Sequence, residues 1–258
     1  SCGAGGDALN FLVRIQNREY KDVILELAEK YGIELPTKYH ASADTKNQKK
    51  EMIKACLKAA KFYHAQLRSA EDANKAITAL RKRNVDDSII DKFTLGWAPN
   101  KYDTLYKELK KEFKAEILEK AGLILKSNSG GWIDRFRNRI IIPIQNELGE
   151  YVAFGARAVD EGQNPKYLNS SDSLIYNKSK ILFGLNSAQE AIKNEDGVVI
   201  MEGYFDVISA QAHGVENAVA SCGTALTPDH VKILSRYTKS RRIFLSFDTA
   251  GAGINATK

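Results

Sequence analysis

The sequence is short of cysteine and histidine and has no long apolar run. Its three cysteines, Cys2, Cys56 and Cys222, are odd in number and far apart. That excludes a disulfide framework and fits a reducing cytoplasm. None of the four histidines has metal-ligand spacing to another. No apolar stretch approaches the roughly 18 residues of a membrane span, and no signal peptide opens the chain, so no membrane partner is expected. Charge of one sign is not dominant: 38 Lys and Arg stand against 32 Asp and Glu, a net +6. This mild basic excess permits a nucleic-acid partner, although a solvated charged face gives the same number.

What is present is ordinary globular material. Apolar residues make up 43% and charged residues 27% of 258, enough for a full core and more in keeping with two small domains than one. The opening Ser1-Cys2-Gly3-Ala4-Gly5-Gly6 reads as the interior of a longer gene product. Leu9, Leu12, Val13, Val23, Ile24, Leu27 and Ala28 carry helical spacing, closed by Gly32 and Pro36. The lysine-rich stretch that follows, set at 37–50, predicts a linker. Met52 to Arg68 predicts an amphipathic helix with Ile53, Leu57, Ala60 and Tyr63 in its stripe. Further helices are expected to about Ala121, broken at Gly96-Trp97-Ala98-Pro99.

The texture changes after Gly130-Gly131. Arg139 to Ile144 and Tyr151 to Phe154 are apolar runs around Asn146-Glu147-Leu148-Gly149, which predicts a hairpin. Asn177 to about Lys193 reads as helix and Gly197 to Met201 as a buried strand. Asp206 to Ala212 reads as helix and Ala218 to Ala220 as a brief strand. Pro228 to Tyr237 reads as a helix capped by Thr227, and Arg242 to Phe247 as another buried strand. Alternation of this kind predicts an α/β fold: an α+β subdomain, then the first part of a parallel sheet.

Glu202 and Asp248 each stand just past a strand-like run. In open parallel sheets the functional crevice lies outside the carboxyl ends of the strands, where acids can share a divalent cation. Either acid alone reads more readily as a helix cap. The pair, with Gly203 leaving room, favours function. Arg135, Arg137, Asn138, Arg157, Lys166, Tyr167, Asn169 and Lys178 mix cations, flat rings and amides, which suits a single-stranded nucleic-acid track. A generic basic cluster is more often a solvated face. Arg139 is read instead at the edge of the hairpin core.

Six segments carry a resemblance. Val199-Ile200-Met201-Glu202-Gly203-Tyr204-Phe205-Asp206-Val207 resembles the VVEGYMDV segment of bacterial DnaG-type primases, the first motif of the Toprim fold. Ala220-Ser221-Cys222-Gly223-Thr224-Ala225-Leu226-Thr227 resembles ASLGTALT. Asp248 to Ala256 resembles D-x-D-x-A-G-x-x-A. Arg135 to Ile140 with Pro143, Phe154 to Arg157, and Pro165 to Ser170 resemble RFR-x-R-x-x-x-P-I, FGGR and PKYLNS. The order is the family's own.

The resemblance implies a nucleotidyltransferase that synthesises short RNA primers on a single-stranded DNA template from ribonucleoside triphosphates, in the cytoplasm. It assigns Glu202 a metal-linked or general-base role and Asp248 metal binding, with Mg²⁺ or Mn²⁺ as the cation. It gives the basic set above to template and nucleotides. It divides the chain into a zinc-domain remnant at 1–36, the linker at 37–50, a polymerase subdomain at 51–195 and a truncated Toprim domain at 196–258. Cys2 matches the last zinc cysteine of the family; three ligands are missing, so Zn²⁺ is expected in the full-length protein and not in this chain. A replicative helicase is expected to meet the full-length protein through a domain absent here. Ala250 stands where the family has the second aspartate of D-x-D, and the chain stops before a third acidic motif, so impaired catalysis is expected. The alternative is an inactive module that only binds single-stranded DNA. Cys56, Cys222 and His230 read as structural.

Overall fold

The computed structural model of the chain describes residues 5–16, 20–36, 43–128 and 130–247. It divides into two compact units, Ser1–Gln48 and Lys49–Lys258. The first holds α1 (Ala8–Gln16) and α2 (Tyr20–Tyr31). Asp7 receives the Asn10 backbone N–H at 2.8 Å at the start of α1, and Gly32 takes a φ of +65° just past α2.

The second unit begins within α3 (Ala43–Ser69). Residues 43–50, read above as linker, are therefore helical. Lys and Gln are good helix formers, and no Gly or Pro interrupts. After α3 come α4 (Asn74–Arg81), α5 (Asp87–Lys92), β1 (Gly96–Ala98), α6 (Thr104–Leu109) and α7 (Ala115–Lys120). Next are β2 (Ile124–Lys126), β3 (Trp132–Asp134), β4 (Arg139–Gln145), β5 (Tyr151–Ala158), β6 (Tyr167–Asn169) and β7 (Leu182–Phe183). The chain continues with α8 (Leu185–Glu195), β8 (Gly197–Met201), α9 (Tyr204–Ala212), β9 (Ala218–Ser221), α10 (Pro228–Leu234) and β10 (Arg242–Ser246).

Strands β1-β4-β5-β6 form an antiparallel sheet in that order. Its central strand β4 is buried on both faces, which explains the unbroken run Arg139 to Ile144. Ile141 joins Phe154 and Ala156 under α3, while Ile140, Ile142 and Ile144 join Trp97, Val152, Phe183 and Tyr204 on the other side. Helix α3 buries Met52, Ala55, Cys56, Ala59, Ala60, Tyr63 and Leu67. Leu57 is exposed and Ile53 only half-buried, so the expected stripe is rotated. Close approach selects the face: a Cβ on Gly96 would lie 2.6 Å from the Tyr63 Cβ, and small alanines allow this.

The second sheet runs β10-β8-β9-β7, with β10–β8 and β8–β9 parallel and β7–β9 antiparallel. Leu182, Leu185, Ile192, Val198, Ile200, Val219 and Leu234 pack on one face of it. The break at Gly96–Ala98, between α5 and α6 as expected, is itself a buried strand. Three expectations need correction. The helix expected from Asn177 starts at Leu185, because Leu182–Phe183 pairs with β9 and Gly184, at φ +80°, turns the chain. The helix from Pro228 stops at Leu234, short of Tyr237. Finally, β10 is an edge strand among the described residues, with Phe244 and Leu245 exposed rather than buried.

Candidate functional site

Glu202 follows β8 directly and is exposed at its carboxyl end. Gly203 then caps α9, and its N–H donates to the Asp206 carboxylate at 2.9 Å. Met201 and Ser246 are register partners, so the parallel strands β8 and β10 end side by side. Asp248 lies two residues past Ser246 in sequence. Asp248, Ala250 and Cys2 lie outside the described residues. Among the described residues no three His, Cys, Asp or Glu side chains gather as a metal site. The described donor, one carboxylate at a strand end, is the hard oxygen type that Mg²⁺ takes, so the donor chemistry fits.

The basic blocks meet the acid-bearing element through named contacts. Asp134 to Arg137 alternate in burial, with Asp134 and Phe136 inward and the two arginines half-exposed. Arg135 Nη2 donates to the Asn169 carbonyl at 3.0 Å and to Ser171 Oγ at 3.2 Å. Burial holds its guanidinium below the usual value. The Asn169 side chain turns the other way: Nδ2 donates to the Cys222 carbonyl at 3.3 Å, and Oδ1 accepts from the Tyr204 hydroxyl at 3.1 Å. Tyr204 is the first residue of α9, two past Glu202. Segments around residues 135, 169, 204 and 222 thus converge.

Two glycines keep this junction tight. A Cβ on Gly155 would sit 2.7 Å from Tyr204 Cε2, and one on Gly223, at φ +78°, would sit 2.5 Å from Asn169 Nδ2. Arg157 pairs in register with Tyr167, and its guanidinium lies 5.9 Å from the Phe205 ring centre. Arg83, which sequence reading did not single out, lies 5.2 Å from the same ring. Lys166 and Lys178 are exposed, and Tyr167 is 38% exposed.

Arg137 donates to the Asp134 carbonyl and lies over Tyr102 at 5.5 Å. Asn138 takes φ +55° and donates to Asp160 at 2.6 Å; Lys75 reaches the same carboxylate at 3.0 Å. Those two bonds hold Asp160 below its ordinary value. Asp134 receives the N–H groups of Leu105 and Tyr106 at 2.8 and 2.9 Å, yet burial outweighs them and raises its carboxyl to about 6. Arg139 is buried and donates to the Pro165 carbonyl at 2.8 Å, as its reading at the core edge expects. Cys56, Cys222 and His230 are buried. The sequence alone gives Tyr204 no role, although an aromatic next to the acid-glycine pair is a signal for one. Lys75 and Asp160 offered none.

Comparisons with known proteins identify the family. Residues 62–189 match the family described as DNA primase catalytic core, N-terminal domain; 199–258 match Toprim-like; 1–43 match CHC2 zinc finger. The last two are metal-binding families. A DNA primase of Synechococcus elongatus is 40% identical over all of this chain and 38% of its own length. The chain thus spans about two-fifths of such curated relatives. The RNA polymerase domain of Mycobacterium tuberculosis primase DnaG superposes with a TM-score of 0.74 at 38% identity, covering 80% of this chain and 68% of that one. A DnaG primase catalytic domain bound to ssDNA gives 0.74 at 31% identity, covering 82% and 67%. No helix among the described residues is long and apolar enough to cross a membrane. From the converging segments and these likenesses together, the chain belongs to the bacterial DnaG-type DNA primase family.

Proposed function

We propose that the chain is the core of a DNA primase, a DNA-directed RNA polymerase that makes short RNA primers on single-stranded DNA from ribonucleoside triphosphates. One observation carries this most directly: the bonds from Arg135 to Asn169 and from Asn169 to Tyr204 bring the basic segments to the helix that starts beside Glu202. Cations with exposed flat groups suit phosphates and bases. Arg135, Arg137, Asn138, Arg157, Lys166, Tyr167, Asn169 and Lys178 form the template and nucleotide track.

Glu202 and Asp248 would hold Mg²⁺ or Mn²⁺. The cation, when bound, neutralises charge developing on the transferred phosphoryl group and its leaving pyrophosphate. Glu202 supplies an oxygen ligand or accepts the proton of the primer 3′-hydroxyl. The track residues hold the template strand and align the incoming triphosphate, so that the reacting groups meet in line.

The proposed division is a zinc-domain remnant at 1–36, a connecting segment, a polymerase subdomain to 195 and a Toprim domain from 196. The boundary of the compact units between Gln48 and Lys49, which falls inside the 37–50 interval, supports a connecting segment there. Cys2 is a ligand remnant of a zinc site completed in the full-length protein, which would act in the cytoplasm and meet the replicative helicase through another domain.

The test is ribonucleotide incorporation on a single-stranded template with Mg²⁺, using a chain extended through the third acidic motif and carrying Ala250→Asp. Primers are expected, and Glu202→Gln should abolish them. Unchanged synthesis in that variant contradicts the assignment.

A further inference from the structure

Lys178 sits in a loop with a hydrogen-bonded base. Its N–H donates to Asp172 at 3.0 Å, the Ser179 N–H donates to Asn177 Oδ1 at 2.9 Å, and Tyr176 is buried beneath. The Lys178 side chain is exposed. Two carbonyls of this loop, on consecutive residues, are held from the start of α10. Thr227 Oγ1 donates to the Ser179 carbonyl at 2.7 Å. The His230 ring approaches the Lys178 carbonyl through Nε2 at 3.0 Å.

The neighbours determine the tautomer. The Thr227 N–H points at His230 Nδ1 at 3.2 Å, so Nδ1 must accept. The Lys178 carbonyl can only accept, so Nε2 must carry the proton. His230 is fully buried, and burial keeps its imidazole below the ordinary value, which favours this neutral form. The ring therefore does two separable things: Nδ1 caps α10, and Nε2–H holds the Lys178 backbone.

We infer that His230 is a positioning residue for Lys178, fixing the loop so that the lysine ammonium meets a phosphate of the bound template or nucleotide. A terminal cap alone needs only Nδ1. The bond to Lys178 spans 52 residues of sequence, and the Thr227 bond beside it fastens the neighbouring carbonyl to the same helix start. An exposed lysine has several freely rotating bonds, so anchoring its backbone leaves less freedom to lose when the ammonium meets its anion. The inference rests on the proposed track, in which Lys178 contacts phosphate.

Two substitutions separate the roles. His230→Asn keeps an acceptor at the Nδ1 position and falls short of Lys178. His230→Gln keeps a donor at the Nε2 position and loses the cap. Binding of an oligodeoxythymidylate is titrated against salt, and binding of ATP with Mg²⁺ is measured beside it, with Lys178→Ala for reference. If the phosphate belongs to the template, Lys178→Ala and His230→Asn should each reduce the salt slope by about 0.7, one phosphate contact. If it belongs to the nucleotide, both should weaken ATP roughly tenfold and spare the oligonucleotide. In either case the double variant loses nothing more, and His230→Gln binds as wild type.

Should His230→Gln fail to fold, His230→Asn and the double variant still decide the matter. Wild-type binding by His230→Asn, where Lys178→Ala is impaired, overturns the positioning role alone. Wild-type binding of both ligands by Lys178→Ala overturns the placement of Lys178 on the track and the inference with it.

Discussion

The Tyr204 hydroxyl donates to Asn169 Oδ1 at 3.1 Å, tying the helix that starts beside Glu202 to the strand that carries Tyr167. Tyr204 is 5% exposed and burial pushes its hydroxyl well up, so it stays a neutral donor. Tyr204→Phe removes the part-buried bond to Asn169, together with the hydroxyl's contact with Cys222, at nearly constant shape. The expected loss is about 1 kcal/mol of stability. Chemical denaturation checks it, and an unchanged midpoint contradicts the importance given to this bond.

Gly155→Ala tests the same junction from beneath. The new methyl would lie 2.7 and 3.0 Å from Tyr204 Cε2 and Cζ, inside contact distance of a ring held from several sides. Overpacking of this kind costs about 1–3 kcal/mol. Thermal unfolding should show the loss, and Tyr204→Leu in the same chain should recover part of it by making space.

Asp134 gives a pH dependence of definite sign. Its folded-state carboxyl is raised from 3.8 to about 6, with burial as the main cause. An acid raised by folding is bound more tightly to its proton in the folded state. Its contribution is therefore fully present below 3.8 and is lost as pH rises through about 6. Measured between pH 4 and 7, the stability of wild type relative to Asp134→Asn should decline toward the upper end. A difference that is flat across this window contradicts the assignment.

Much of this arrangement is legible in the residues, for identifiable reasons. Gly197 to Met201 is apolar, five residues long and bounded by Asp196 and Glu202, and it forms β8 with those limits. The hairpin of β4 and β5 follows from two apolar runs about a turn containing Gly149, which takes φ +81°. Thr227 before Pro228 marks a helix start, and its side chain does accept the His230 N–H at 3.1 Å. Strands β1, β2, β3 and β7 have only two or three residues, too few for a period to register. The junction of Asn169, Tyr204 and Cys222 was hidden differently: its members are 35 and 53 residues from Asn169, and only the fold joins them.

On the proposed metal site, Ala250 stands where a second aspartate would add a carboxylate. Mg²⁺ gives up its water reluctantly, so one carboxylate fewer in a sparse site weakens its binding substantially. In a chain extended through the third acidic motif, Ala250→Asp should raise primer synthesis by orders of magnitude and leave template affinity nearly unchanged. Equal synthesis with alanine and aspartate would mean that another residue supplies the ligand.

The most direct measurement is a salt titration of single-stranded DNA binding. Wild type is compared with a variant in which Arg135, Arg157 and Lys166 are replaced together. Each phosphate contact on a single strand contributes roughly −0.7 to the slope of log affinity against log salt. A steep wild-type slope that flattens in the triple variant is the predicted result. Identical slopes would show that these cations only solvate a face, and would contradict the placement of the template beside Glu202.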